Sequence, residues 1–276
     1  EEGNALGLYT YGNQHRWMSL NEGKRKQLNA LSFSVFEEDF EPMKKRIEDQ
    51  GIKLIDAPRG IDSNGIWFRD LNGLLVEVKV AEKTSPNAKV DFGKMEVSSP
   101  ANVVGSFGHL NKPEVRPLRF AHMLIFAPDI PGSIEFYARI LGMRLSDRTG
   151  DMIAFMHGIH GSDHHMVAFV NSGGKPAGLH HCSWDMGSLN GIGLAAQQMA
   201  DRGHKSGWGL GRHVLGSNYF HYMRDPWGSW AEYSADIDYV SVDHDWKAKD
   251  HPPEDGIYVW GPEMPSDFTH NYEADQ

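Results

Sequence analysis

An internal repeat constrains this chain more than any other feature. LNALSFSV (28–35) leads into the amphipathic run FEEDFEPMKKRIEDQG and then NGIWFRDLNGLLVEV (64–78). LHHCSWDM (179–186) leads in the same way into LNGIGLAAQQMADRG and then FHYMRDPWGSWAEY (220–233). Each stretch reads as a strand, a helix and a strand pair folded around a turn. Apolar residues recur at helical spacing, Phe40, Met43 and Ile47 in one copy and Ile192, Ala195 and Met199 in the other, and each helix stops at a glycine, Gly51 or Gly203. The turns RDLNG and RDPWG place Asp70 ahead of Glu77 at the same spacing as Asp225 ahead of Glu232. Ala30, however, falls where the second copy has His181. The first copy therefore keeps the scaffold and an acid but lacks a histidine, which marks it as structural.

A further strand, helix and strands precede the second copy: RFAHMLIFA (119–127), PGSIEFYARILG (131–142), MRLSDR, DMIAFMHG and HHMVAFVN (164–171). The counterpart expected ahead of the first copy has no room before Ala30, so the repeat predicts that roughly one half-module is missing at the amino end. The absence of a starting methionine agrees with that expectation. Pro86, Pro100, Pro113 and Pro117 mark 81–117 as a connector. The expected fold class is α+β, two domains of paired βαβββ modules. A non-catalytic amino-terminal domain covers 1–85, a linker 86–117, a catalytic metal-binding domain 118–240 and a carboxy-terminal extension 241–276.

With 27 basic residues against 37 acidic ones, the net charge is -10, which argues against a nucleic-acid or anionic-membrane partner. No apolar run is long enough to cross a bilayer, and EEGNALGLY lacks the basic start and apolar stretch of a signal peptide, so a cytoplasmic protein is expected. The single cysteine, Cys182, excludes an intramolecular disulfide and a cysteine zinc cage. A transition-metal site must then use histidine and carboxylate, and 15 histidines make one feasible.

His122 sits among apolar neighbours in RFAHMLIF, a context that by itself fits a packed core histidine. His180 and His181 share one strand, and period-two alternation sends them to opposite faces, so one of the pair can enter a given cavity. Glu232 lies beside aromatic residues in SWAEYS and needs a partner there, because an unpaired buried charge is costly. Two histidines and a glutamate on separate strands are the ligand types of a facial triad, in which Fe(II) keeps positions open for a catechol and O2. Zinc and manganese sites use the same side chains.

The segment GRHVLGSNYFHYMRDPWGSWAE (211–232) resembles the signature of the type I extradiol catechol dioxygenases of the vicinal oxygen chelate superfamily. His213, Tyr222, Asp225, Pro226, Gly228 and Glu232 fall at the signature's spacing, while His221 departs from it by standing where an aliphatic residue or phenylalanine is usual. FAHMLIFAPD and GLHHCSW match the stretches that supply the metal histidines, here His122 and His181, and HHMVAFVNSGG matches the one carrying an acid–base histidine, best aligned with His165. The resemblance implies Fe(II), with Mn(II) as an alternative, O2 as co-substrate, a catechol substrate and a homo-oligomer. It also implies catalytic roles for His165, His213 and Tyr222, the last two touching substrate. A histidine with a near-neutral pKa suits the proton transfers of such a reaction.

No role is expected for His157, His160, His164, His204, His221, His244, His251 or His270. Family members that take acidic catechols tend to carry an arginine shortly before the motif histidine. In GWGLGRH (207–213) this chain has Trp208, with Arg212 the basic residue of the stretch, so an apolar ring substituent against Trp208 is expected. The alternatives are a hydroquinone-cleaving or glyoxalase-like enzyme on the same scaffold, or a metal-free binding protein of the bleomycin-resistance kind.

Overall fold

The computed structural model describes residues 5–95 and 99–275. Residues 1–4 of the expected first domain, 96–98 of the expected linker and 276 of the expected extension lie outside the described residues. In chain order the first half comprises β1 (Ala5–Leu8), β2 (Met18–Asn21), β3 (Ala30–Val35), α1 (Glu37–Asp49), β4 (Ile66–Arg69), β5 (Leu75–Val80) and the single turn α2 (Phe92–Met95). Then follow β6 (Arg119–Ala127), α3 (Ile130–Leu141), β7 (Arg144–Thr149), β8 (Ile153–His157), β9 (Ser162–Asp163) and β10 (Val167–Asn171). The next module holds β11 (Gly178–Asp185), α4 (Leu189–Asp201), β12 (Gly207–His213), β13 (Tyr219–Arg224) and β14 (Trp230–Ala235). The chain closes with β15 (Tyr239–Val240), β16 (Lys249–Asp250) and β17 (Tyr258–Trp260). This is the expected α+β architecture of large sheets and few helices.

Both helices of the second half begin on side-chain caps. Asp129 accepts the Gly132 N–H ahead of α3, and Ser188 accepts the Gly191 N–H ahead of α4, satisfying amides that the first helical turn leaves open. Gly142 ends α3 at φ 72°, a left-handed conformation that glycine adopts without a Cβ clash.

One 10-stranded sheet runs in the order β16-β7-β8-β10-β6-β11-β14-β13-β12-β17. Its centre is the antiparallel pair β6·β11, and each of these strands has a parallel neighbour from its own module, β10 and β14 respectively. The two modules are thus arranged alike about the central seam. A separate 3-stranded sheet, β3-β5-β4, carries the first copy of the repeat. It shares one apolar core with the second half of the chain, where Ile47, Phe68, Val76 and Val78 meet Tyr137, Ile140 and Phe169. Fully burying side chains of this size is worth about 1.5–3 kcal/mol each.

Strand register makes the repeat explicit. Ser32 pairs with Glu77 across β3·β5, and Ser183 pairs with Glu232 across β11·β14. Counting back two residues reaches Ala30 in one copy and His181 in the other, on the same sheet face as the glutamate. Glu77 accepts hydrogen bonds from the Ser32 and Ser63 hydroxyls, with Lys79 Nζ at 3.3 Å, so the first copy satisfies its acid internally.

Candidate metal centre and active site

A single transverse row of the large sheet sets the site. His122 on β6 is paired with Ser183 on β11, Ser183 with Glu232 on β14, Glu232 with Tyr222 on β13, and Tyr222 with Trp208 on β12. Directly paired residues project from the same face, so the alternation of five strands gathers these side chains on one side. His181, two residues before Ser183, joins that face.

His122 Nε2 and His181 Nε2 lie 3.0 and 3.7 Å from Glu232 Oε2 and 3.3 Å from each other. All three residues are buried. Glu232 Oε2 makes no hydrogen bond, the approach of His122 being off the hydrogen-bonding direction. A carboxylate oxygen withdrawn from water without a donor is costly unless a cation faces it. Donors at about 2.1 Å from a metal on one octahedral face stand about 3 Å apart, close to the spacings found here. Two imidazole nitrogens and a carboxylate oxygen therefore fit a divalent transition metal. Burial by itself would push the Glu232 carboxyl up, but the close approach of His122 and His213 and the neighbouring His181 hold it well below the usual carboxylate range. The other oxygen, Oε1, accepts the Asn218 side-chain N–H at 3.1 Å.

The expectation that His180 and His181 point apart is corrected by the structure. The β11·β6 register shifts between Leu179 and His181, a bulge that breaks the alternation, and the two Nδ1 atoms meet at 2.8 Å. Since His180 also hydrogen-bonds the Phe268 carbonyl as a donor, its remaining nitrogen accepts from His181 Nδ1–H and leaves His181 Nε2 unprotonated toward the triad. Burial, more than any neighbour, pushes His180 down to about 3, which keeps that ring neutral.

The structure brings His165, His213 and Tyr222 to the triad. The His165 ring lies 4.1 Å from that of His122, centroid to centroid, and burial followed by the nearness of His122 and His164 pushes it well below the usual imidazole range. Tyr222 O–H donates to His213 Nε2 at 2.9 Å, and His213 Nδ1–H donates to the Ile257 carbonyl at 2.8 Å, so the tail fixes the His213 tautomer. Burial and then the Glu232 charge push the Tyr222 phenol well above its ordinary range, keeping it a neutral donor. Trp208 lies behind Tyr222, stacked on it at 5.4 Å and packed against Phe220 and Phe268, with its indole N–H on the Pro262 carbonyl. It borders the triad through Tyr222 and His213. Burial pushes the Cys182 thiol up to about 12, which keeps it protonated.

Sequence reasoning passed over Asn218, His180, His164 and Asp147. The signals available were the two His-His doublets and a polar residue entering an apolar strand, and each also fits ordinary packing.

The 241–275 segment spans the sheet from edge to edge. β16 adds to β7, β17 adds to β12, and Phe268 enters the aromatic cluster of Trp208, Phe220, Tyr222 and Trp230. Glu273 accepts the Leu179 and Leu28 amides at 2.8 and 3.0 Å, tying the large sheet to the first copy of the repeat.

Acid sensitivity follows from His157, pushed down to about 4 chiefly by burial, with His164 and Arg144 adding to it. Below the ordinary value of 6.5 the unfolded chain takes up a proton that the folded ring refuses. Stability is therefore unaffected above that pH and falls as pH drops from 6.5 toward 4, by at most about 1.4 kcal/mol per pH unit from this residue. Urea unfolding across that window is expected to show the slope, and His157→Gln to reduce it by this residue's share, the buried His165 and His180 supplying the rest.

The family model described as the Glyoxalase/Bleomycin resistance protein/Dioxygenase superfamily matches residues 119–233. Metapyrocatechase 2 of Cupriavidus necator is 45% identical over 277 residues, covering 98% of this chain and 83% of that protein. Two solved structures share the fold. The Mn(II)-bound glyoxalase of Novosphingobium aromaticivorans superposes with a TM-score of 0.72 at 23% identity, covering 96% of this chain and 82% of its own. Homoprotocatechuate 2,3-dioxygenase of Brevibacterium fuscum, in complex with 3,4-dihydroxyphenylacetate, gives 0.72 at 18% identity, covering 98% and 82%.

Proposed function

This chain belongs to the extradiol catechol dioxygenases of the glyoxalase/bleomycin resistance protein/dioxygenase superfamily, and on that premise we propose that it holds Fe(II) on His122, His181 and Glu232 and opens catechols bearing an apolar substituent. The observation that carries the metal assignment is the buried triangle of two imidazole nitrogens and a carboxylate oxygen that no hydrogen bond satisfies. When bound, Fe(II) supplies adjacent open positions that bring the diol and O2 together and the redox chemistry that O2 requires.

The protein's own groups handle protons and orientation. His165, neutral and beside His122, takes the hydroxyl proton of the entering diol onto a ring nitrogen and returns it to oxygen as the ring opens. Tyr222 keeps its proton, and its O–H, which rests on His213 Nε2 in the free protein, turns to a diol oxygen when substrate enters, while His213, tethered by Ile257, braces the same edge of the ring. The overall change inserts both atoms of O2 between a hydroxylated ring carbon and its unhydroxylated neighbour, giving a 2-hydroxymuconic semialdehyde-type product.

The substituent preference rests on what Arg212 already does. Its guanidinium donates to Tyr219 OH at 2.7 Å, lies 3.5 Å from Asp236 Oδ2 and stacks 4.5 Å over the Tyr219 ring. A carboxylated catechol would need a free cation to offset desolvation of its charge, and this arginine is committed elsewhere. Anaerobic Fe(II) loading followed by O2 and a panel of catechols tests the reading. The expected result is a coloured ring-opened product, with kcat/KM about tenfold or more higher for a 3-alkyl or 3-aryl catechol than for a carboxylated one, a difference worth about 1.4 kcal/mol. No product from any catechol at verified iron content overturns the function, and a tenfold preference for the acid overturns the substituent.

A further inference from the structure

We propose that Asp147 and His164 form a buried hydrogen-bonded relay that sets the tautomer and orientation of His165. The proposal rests on the acid–base reading of His165 given above. His164 Nε2 lies 2.9 Å from Asp147 Oδ2, and His164 Nδ1 lies 3.0 Å from His165 Nδ1. The carboxylate can only accept, so His164 Nε2 carries the proton. With its proton on Nε2, His164 offers the Nδ1 lone pair, and His165 donates Nδ1–H to it. His165 Nε2 is left unprotonated, the state a general base requires.

The supports of this relay come from β7, from the stretch after β14 and from the carboxy-terminal strap. Asp147 Oδ1 accepts the Lys249 amide at 2.7 Å, and His251 Nε2 stands 3.6 Å away. Burial would push the Asp147 carboxyl up, but His164, the Lys249 amide and His251 hold it below its usual range, so the acceptor is ionised. The His164 backbone is fixed at both ends, its N–H donating to the Asp238 carbonyl at 2.6 Å and its carbonyl accepting the Ser146 hydroxyl. Trp246 meets the His164 ring edge-on at 5.4 Å and donates its indole N–H to the Ser146 carbonyl at 2.9 Å. His164 is fully buried and Asp147 and His165 nearly so. Shape alone would be met by any ring of similar size. The cost of burying a carboxylate against it is offset by the hydrogen bonds the carboxylate receives, and His164 gives one nitrogen to that carboxylate and the other to His165.

Four variants of the iron-loaded enzyme test the relay. His164→Ala and Asp147→Asn should each lower kcat about 10- to 100-fold, with KM within about threefold and iron content unchanged. Asp147→Asn keeps the shape but presents a donor that reverses the His164 tautomer. His164→Asn places an acceptor where Nδ1 stood and should recover kcat to within about fivefold of the parent, whereas His164→Gln, which reaches Asp147 but not His165, should behave as the alanine variant. In a His165→Ala background, His164→Ala should cost nothing further, because its effect passes through that ring. Nitrogen-15 spectra of the zinc-loaded chain, with His165 assigned by its disappearance in His165→Asn, should show Nδ1–H alone in the parent and mixed tautomers in His164→Ala. An equal loss with and without His165, a loss tracking iron content, or an unchanged His165 tautomer overturns the relay while leaving the His165 reading intact. Full turnover in His165→Ala overturns both.

Discussion

Glu232→Ala is expected to leave a folded protein that keeps no iron and produces no ring-opened product. The carboxylate supplies one donor of the triangle and the negative charge that draws a cation into a fully buried site. Without it, the His122 and His181 nitrogens stand 3.3 Å apart with no anion between them. His122→Ala and His181→Ala should likewise retain less than about a tenth of the parent's iron, since removing one of three ligands costs more than the 10- to 100-fold typical of an outer partner. Elemental analysis after gel filtration checks this, with circular dichroism establishing that the variants fold. His180→Ala is expected to weaken iron binding about 10- to 100-fold without abolishing it, by freeing the His181 tautomer. Complete iron loss there, with full retention in His181→Ala, would reverse the assignment within the pair. Ala30→His alone should bind no second metal, because Glu77 is already satisfied by Ser32 and Ser63.

His165→Ala should lower kcat about a hundredfold or more while iron content stays at the parent level, the scale of a lost acid–base group. Tyr222→Phe should act in the same direction and less severely, because it removes one neutral donor and leaves the stacking on Trp208 and the edge-on contact with Phe268 in place. Anaerobic single-turnover measurements separate diol binding from the later steps. Iron loss in either variant would move that residue into the ligand set or into the fold.

Much of this was legible in the sequence because period-two alternation and the repeat are backbone properties. His122, His181, Glu232 and Tyr222 lie on paired strands, so correct strands and correct family spacing suffice to bring them together. Ala30 and His181 could be equated for the same reason, and the Ser32·Glu77 and Ser183·Glu232 pairings place them alike. What failed was alternation at His180, where an extra residue in β11 cancels the period locally and no residue type announces it. His164 stayed invisible as a partner because its role depends on Asp147, which is distant in sequence and is carried by a strand at the far side of the module. The pairing of His213 with Ile257 was equally hidden, since a backbone carbonyl has no sequence signature. Trp208 was legible as a large apolar residue near the motif, but its stacking on Tyr222 depends on the β12·β13 register.

The strap formed by 241–275 fixes the order in which a nascent chain can become competent. All three metal-binding side chains are synthesised before Lys249, Ile257 or Phe268, the groups that hold Asp147, His213 and His180 in their working states. A chain still short of Lys249 already owns the triad but has neither the edge strands β16 and β17 nor the contacts that hold Asp147, His213 and His180. Ligand supply and chemical competence are thereby separated in time. The two central modules carry all three residues of the proposed metal site, and the contacts that hold the proton-handling groups are completed when the strap crosses over them.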